Sequence, residues 1–267
     1  MIKYSLRIAR NIIIVLIIII YILPLLYMLF LSFIQQSVFI NHEVKLTEIF
    51  ENLSILNYQM TFKKIDLLNR FTESIRQTLF SVLIIIVFSV PISYYISSLN
   101  QSKMKQYSIS FLSLKLIPGI AICLPLYYFF NNIIICPNWI SLVILNIGFN
   151  IPFFIWLAVP IFYKIPQELE DLSYINGLTS FRYIFFIVSP ILFKKLLGLS
   201  LIISILVWNE SFFSSLFRVD TLSESIVSLI GHRGIQWGQI LVLGSIITFP
   251  VLAIIFILSV KNWIKSL

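Results

Sequence analysis

Few residues in this 267-residue chain have the type and spacing to do chemistry. Glu168, Glu170 and Asp171 crowd into one short stretch that ends in Asn176-Gly177, and Trp208-Asn209-Glu210 closes an apolar run further on. Lys115 lies inside another apolar run, where a lone cation needs a polar partner or a watery cavity. No nucleophile elbow, His-Glu-x-x-His pair or Gly-rich phosphate loop occurs, so the chain is not expected to be an enzyme or to bind or hydrolyse ATP itself. His42 and His232 stand far apart and outside metal-ligand spacing, which reads as two surface histidines with no metal site and no cofactor. Cys123 and Cys136 lack a partner motif and read as packing residues.

What must position these residues is a membrane bundle. Apolar residues make up 59% of the chain and charged residues 11%, with a mean hydropathy of +0.99, too apolar for a soluble domain. The net charge of +8 does not point to nucleic acid, because Lys and Arg sit in short segments between apolar runs and form no basic stripe on a solvated domain. A spanning helix needs about 20 mostly apolar residues. Six segments approach that length: Ile12 to Phe33, Thr78 to Ser97, Ser108 to Phe130, Ile140 to Phe162, Phe193 to Phe213, and Ile240 to Val260. The fifth requires Lys194 and Lys195 to snorkel to the interface at its start. The first has too long an apolar run for a secretory signal and no small-residue cleavage site, and reads as an uncleaved span.

Orientation follows from the basic residues. With the N-terminus inside, the inner segments hold Lys3, Arg7, Arg10, Lys103, Lys105, Lys164, Arg182, Lys194, Lys195, Lys261 and Lys265, whereas the outer cations are diluted by acids. The positive-inside rule then places both termini in the cytoplasm of a multi-pass protein in the cell membrane. Two outer segments are long, about Gln35 to Glu73 and Ser214 to Gly238, and the longest inner connection runs from Tyr163 to Lys195.

That inner connection predicts structure of its own. Pro166 just inside the start and Gly177 just past the end follow the asymmetry of an isolated helix, and Glu168, Glu170 and Asp171 suit the positive end of its dipole. Leu169, Leu172 and Ile175 recur every third residue, giving an apolar stripe that seeks a partner. Thr179 or Ser180 can cap a second helix from Phe181 towards Ser189, which Pro190 ends or kinks.

These residues resemble the cytoplasmic signature of permease subunits from binding-protein-dependent ABC importers. That signature runs Glu-Ala-Ala, three residues, Gly, then about a dozen residues to Leu-Pro; Asp171-Leu172-Ser173, Gly177 and Ser189-Pro190 stand in those places, behind a lead-in of Ile165 to Glu170. Leu116-Ile117-Pro118, Leu124-Pro125-Leu126-Tyr127, Asn150-Ile151-Pro152-Phe153 with Trp156, Trp208-Asn209-Glu210 and Pro250 resemble the carbohydrate, maltose-type branch. The likeness covers about Thr72 to Lys261. Asp171 is one methylene shorter than the family's Glu, Leu172 and Ser173 replace two alanines, and Asn176-Gly177-Leu178 replaces Asp-Gly-Ala.

The resemblance implies an all-α fold of six transmembrane helices with a cytoplasmic coupling helix between the fourth and fifth. Residues 1–71 would form an N-terminal helix and outer segment, and 72–267 the permease domain. Glu168, Glu170, Asp171, Leu172, Asn176 and Gly177 would couple the chain to the ATPase. Trp208, Asn209 and Glu210 read either as an anchor at the outer interface or as part of the translocation path or binding-protein contact. Expected partners are two ATP-binding subunits, a second permease, an extracytoplasmic solute-binding protein and the lipid bilayer, with no nucleic acid. Sugars or oligosaccharides are the first choice of solute. A polyamine, peptide or glycerol-phosphate type of solute is the nearest alternative, and an ATP-independent secondary transporter a more distant one.

Overall fold

Long apolar runs fold as helices in a bilayer because every backbone N–H and C=O must be satisfied inside the segment. The computed structural model describes residues 2–40, 51–134, 136–231 and 234–264, so His42 and His232 lie outside the described residues. Apart from a two-residue hairpin, β1 (Ile230–Gly231) antiparallel to β2 (Gly234–Ile235), its regular structure is helical. Five helical segments are long and apolar enough to cross a membrane, and a bent pair supplies a sixth if taken as one span. The chain divides into two compact units, one made of Met1–Asn69 with Ser225–Leu267 and the other of Arg70–Glu224.

In the first unit, α1 (Ile2–Leu31) exposes its apolar side chains all round over Ile12 to Leu23, as a lipid-facing span does. Beyond α2 (Gln36–Ile40) comes α3 (Leu56–Lys64), whose Asn57 donates through Nδ2 to the carbonyls of Ser32 at 3.0 Å and Ile34 at 2.6 Å. The Gln36 side chain accepts from the N–H of Gly238 at 2.8 Å, at the start of the last helix (Trp237–Ile264). Gly238 is required there, since a Cβ would run into the Asn57 amide.

The second unit holds α4 (Leu67–Ser97, entering this unit at Arg70), α5 (Gln101–Lys115), α6 (Gly119–Phe129), α7 (Asn138–Phe162), α8 (Gln167–Ile175), α9 (Ser180–Ile191), α10 (Phe193–Trp208), α11 (Phe212–Leu216) and the start of α12 (Leu222–Ser228). Its main core packs Ile85, Tyr94, Phe154, Phe162, Tyr183 and Ile203. Ser74, Ser81, Ser89, Ser93 and Ser97 form a buried line along α4. Small residues permit the close helix approach that stands in for a hydrophobic drive between helices in lipid.

The third expected span, Ser108 to Phe130, is not straight. α5 and α6 meet at 75° across Leu116, Ile117 and Pro118. Pro118 has no N–H to continue the helix and turns Ile117 away from helical geometry. Gly119 then lets α6 rest on Phe213, whose ring lies 3.0 Å from where a Cβ would stand. Lys194 and Lys195 stand exposed in the first turn of α10.

Candidate functional site

The acidic stretch folds as α8, with Pro166 in extended geometry at its N-cap and Gly177 at φ +72° after its end. Leu178 N–H reaches the Ser173 carbonyl at 3.0 Å and Gly177 N–H the Tyr174 carbonyl at 2.9 Å, a Schellman closure that satisfies the last carbonyls. Asn176 adds a bond from Nδ2 to the Leu172 carbonyl at 2.7 Å, so this residue finishes its own helix. These local bonds make α8 a closed, rigid element.

Around α8 the side chains divide between two faces. Ser173 is buried and donates to the Glu170 carbonyl at 2.7 Å, which explains why a small residue stands there. Leu169 packs on the main core, and Glu170 lines a pocket with Tyr94 of α4 and accepts from the Tyr174 hydroxyl at 3.2 Å. Tyr94 and Tyr183 meet edge to face with ring centres 5.8 Å apart. Burial, reinforced by the charge of Glu170, pushes the Tyr183 phenol above its ordinary value, so it stays neutral at physiological pH. Glu168, Asp171 and Asn176 face solvent, as do Leu172 at 55% and Ile175 at 81% exposure. The expected stripe of Leu169, Leu172 and Ile175 is therefore divided, with its first member seating the helix and the other two left uncovered. Leu172 stands where the family has a small alanine, and its exposure leaves room for the larger side chain.

The expected second helix forms as α9, but its start carries no side-chain cap from Thr179, and residues Tyr183–Val188 wind as a π-helix. Pro190 does not end it, since Ser189–Ile191 continue helically. Instead the missing Pro190 N–H cannot serve the carbonyl four residues back, and the Ser189 hydroxyl donates to the Ile184 carbonyl at 2.8 Å.

The second candidate cluster sits where α10 ends. Glu210 caps α11: its carboxylate accepts from the N–H groups of Phe213 at 2.7 Å and Ser214 at 3.1 Å. Asn209 is exposed and bonds back to the Ile205 carbonyl at 2.8 Å, while Trp208 meets Phe71 edge to face and its carbonyl accepts from the Ser223 hydroxyl at 2.7 Å. Trp208 and Glu210 line a narrow crevice with Ser74, Gln77, Asn146 and Thr221. Lys115 donates to Asn150 Oδ1 at 3.1 Å. Sequence alone did not name Tyr94, Gln77, Asn146 or Arg70 as site residues, because their partners lie far away in sequence. No group of metal-ligating side chains occurs among the described residues.

The second unit thus carries a break between α5 and α6, a short capped helix α8 between α7 and α10, and a half-buried acid, Glu210, after α10. The chain is 26% identical over 185 residues, 68% of its length, to a probable ABC transporter permease protein (y4oR) of Sinorhizobium fredii. It is 24% identical over 152 residues, 54% of its length, to the trehalose/maltose transport system permease protein MalG of Thermococcus litoralis. The chain is similar in sequence to ABC transporter permeases. Those alignments take in 66% and 55% of the two relatives' own lengths. The chain also shares 22% identity over 187 residues, 68% of each chain, with the melibiose/raffinose/stachyose import permease protein MelC of Bacillus subtilis. Its fold matches a chain from the crystal structure of a bacterial ABC transporter involved in the import of the acidic polysaccharide alginate, with a TM-score of 0.68, 96% of both chains covered and 14% identity. No protein-family model matches the chain.

Proposed function

We propose that this permease is the membrane subunit of an ATP-driven importer and that α8 is the handle by which a separate ATP-binding subunit works it. The observation that carries the reading is the uncovered pair Leu172 and Ile175 on a helix capped at its end and seated on the bundle through Leu169. An apolar face held on a rigid helix outside the spans suits a protein cleft. Glu168 and Asp171 would frame that contact, and Glu170, Asn176 and Gly177 would hold the helix in place to deliver it. Closure of the ATP-binding subunits would move α8 as a rigid body and tilt the spans.

In this reading two ATP-binding subunits and a second permease complete the complex, and both termini lie in the cytoplasm. A solute-binding protein would meet the outer segment Ser214 to Gly238, with exposed Asn209 and the neighbouring Trp208 at its edge. Sugars or oligosaccharides are the solutes favoured by the relatives, whose names include trehalose/maltose and melibiose/raffinose/stachyose transport. The test is ATPase stimulation by solute-loaded binding protein in the reconstituted complex. Leu172→Asp with Ile175→Asp is expected to abolish stimulation without lowering thermal stability, because both side chains are exposed. Full stimulation in that double variant contradicts the assignment.

A further inference from the structure

Lys115 is a charge inside the membrane part whose described neighbours do not neutralise it. Among the described residues the ion pairs are Arg70 with Asp220 and Glu224, and Arg76 with Glu73; none involves Lys115. Its shown partner is the neutral amide oxygen of Asn150, itself 4% exposed. That oxygen takes one of three ammonium N–H donors and no charge. A residue serving only to fill space would cost less there as Leu or Met.

The place is as informative as the charge. Lys115 is the last residue of α5, where the helix dipole favours a cation, and three residues later Pro118 opens α6 with no side-chain cap over its first N–H groups. A broken span thus puts a cation and an uncapped helix start beside one break, the arrangement that suits negative charge in a membrane carrier. From Asn150 the polar line continues along α7: Asn150 Nδ2 donates to the Asn146 carbonyl at 2.8 Å. Asn146 Nδ2 is buried without a hydrogen-bond partner and so is Gln77 Nε2, in the crevice that both residues line. Two unmet amide donors in low dielectric are costly for the fold, and the crevice around them is too narrow to admit a solute.

Resting on the importer reading above, we propose that Lys115, held by Asn150 at the break between α5 and α6, recognises the negative charge of an anionic solute, a carboxylate- or phosphate-bearing saccharide.

The test uses the assembled importer in lipid nanodiscs, titrated calorimetrically with digalacturonate, glucose 6-phosphate and galactobiose. At least one of the two anions is expected to bind saturably and the neutral disaccharide to bind at least tenfold more weakly; which anion binds separates the carboxylate from the phosphate. Lys115→Met is expected to weaken the anion at least tenfold and Lys115→Arg to retain most of the affinity. Equal binding of anion and neutral sugar by the unaltered importer overturns the proposal, as does an unchanged anion affinity in Lys115→Met. Absence of binding by both anions overturns it too. Failure of Lys115→Met to assemble with the second permease would assign the cation to a subunit contact instead. ATPase stimulation of the unaltered complex by loaded binding protein reports separately on the importer reading, so the two failures are distinguishable.

Discussion

Gly177 occupies a left-handed backbone position with open space around its missing side chain. Any replacement therefore meets backbone strain and no clash. Gly177→Ala is expected to destabilise the end of α8 by about 1 kcal/mol and to weaken ATPase coupling, with Gly177→Asn milder; thermal unfolding and ATPase stimulation check the two effects together. Arg218 adopts the same left-handed geometry, at φ 53°, after the end of α11, where its N–H and that of Val219 close another Schellman turn onto Ser215 and Ser214. Arg218→Gly is expected to raise stability by up to about 1 kcal/mol, opposite in sign to the Gly177 change. Glu210→Ala removes the acceptor for two helix-start N–H groups and is expected to cost about 1 kcal/mol in thermal unfolding. Pro166 and Gly177 were legible from sequence because caps are made within a few residues. Glu210 caps just as locally, yet it went unread because α11 has only five residues and follows directly on an apolar run that masks its start.

Elements are tied together by contacts that spacing along the chain cannot show. Arg70, at 19% side-chain exposure, pairs with Asp220 at 2.8 Å and with Glu224, whose side chain is 15% exposed, fastening α4 to the segment before α12. Ser74 adds a bond accepted from the Leu222 N–H at 2.9 Å. Arg70→Met leaves Glu224 largely buried without its cation, and a loss of about 1–3 kcal/mol is expected, between the values for exposed and buried pairs. Adding Glu224→Gln should recover part of that loss in thermal unfolding; no recovery would show that the arginine acts mainly through packing. From sequence these three charges counted only towards orientation, since Arg70 and Glu224 are 154 residues apart. The bend at Leu116 to Pro118 was half legible: Pro118 was in view, but an apolar run through it reads as continuous, and only the packing of Gly119 on Phe213 fixes where α6 goes.

At the scale of the whole molecule, hydropathy located the five segments among the described residues that are long and apolar enough to cross a membrane, because the bilayer demands about 20 apolar residues wherever a helix spans it, while the expected third span is the bent pair. The position of α8 was readable for the same reason that its ends were: Pro, acids and Gly follow in order. Its division into a seated face and an uncovered face was not, since period-three spacing cannot say which of Leu169, Leu172 and Ile175 meets the core. The central claim is that the uncovered face of α8 touches an ATP-binding subunit. The most direct measurement is cysteine cross-linking from Ile175→Cys in the assembled complex with and without ATP. The expected result is a cross-link to the ATP-binding subunit whose yield changes with nucleotide. Labelling of Ile175→Cys in intact cells by a membrane-impermeant reagent, with no cross-link under either condition, would contradict it.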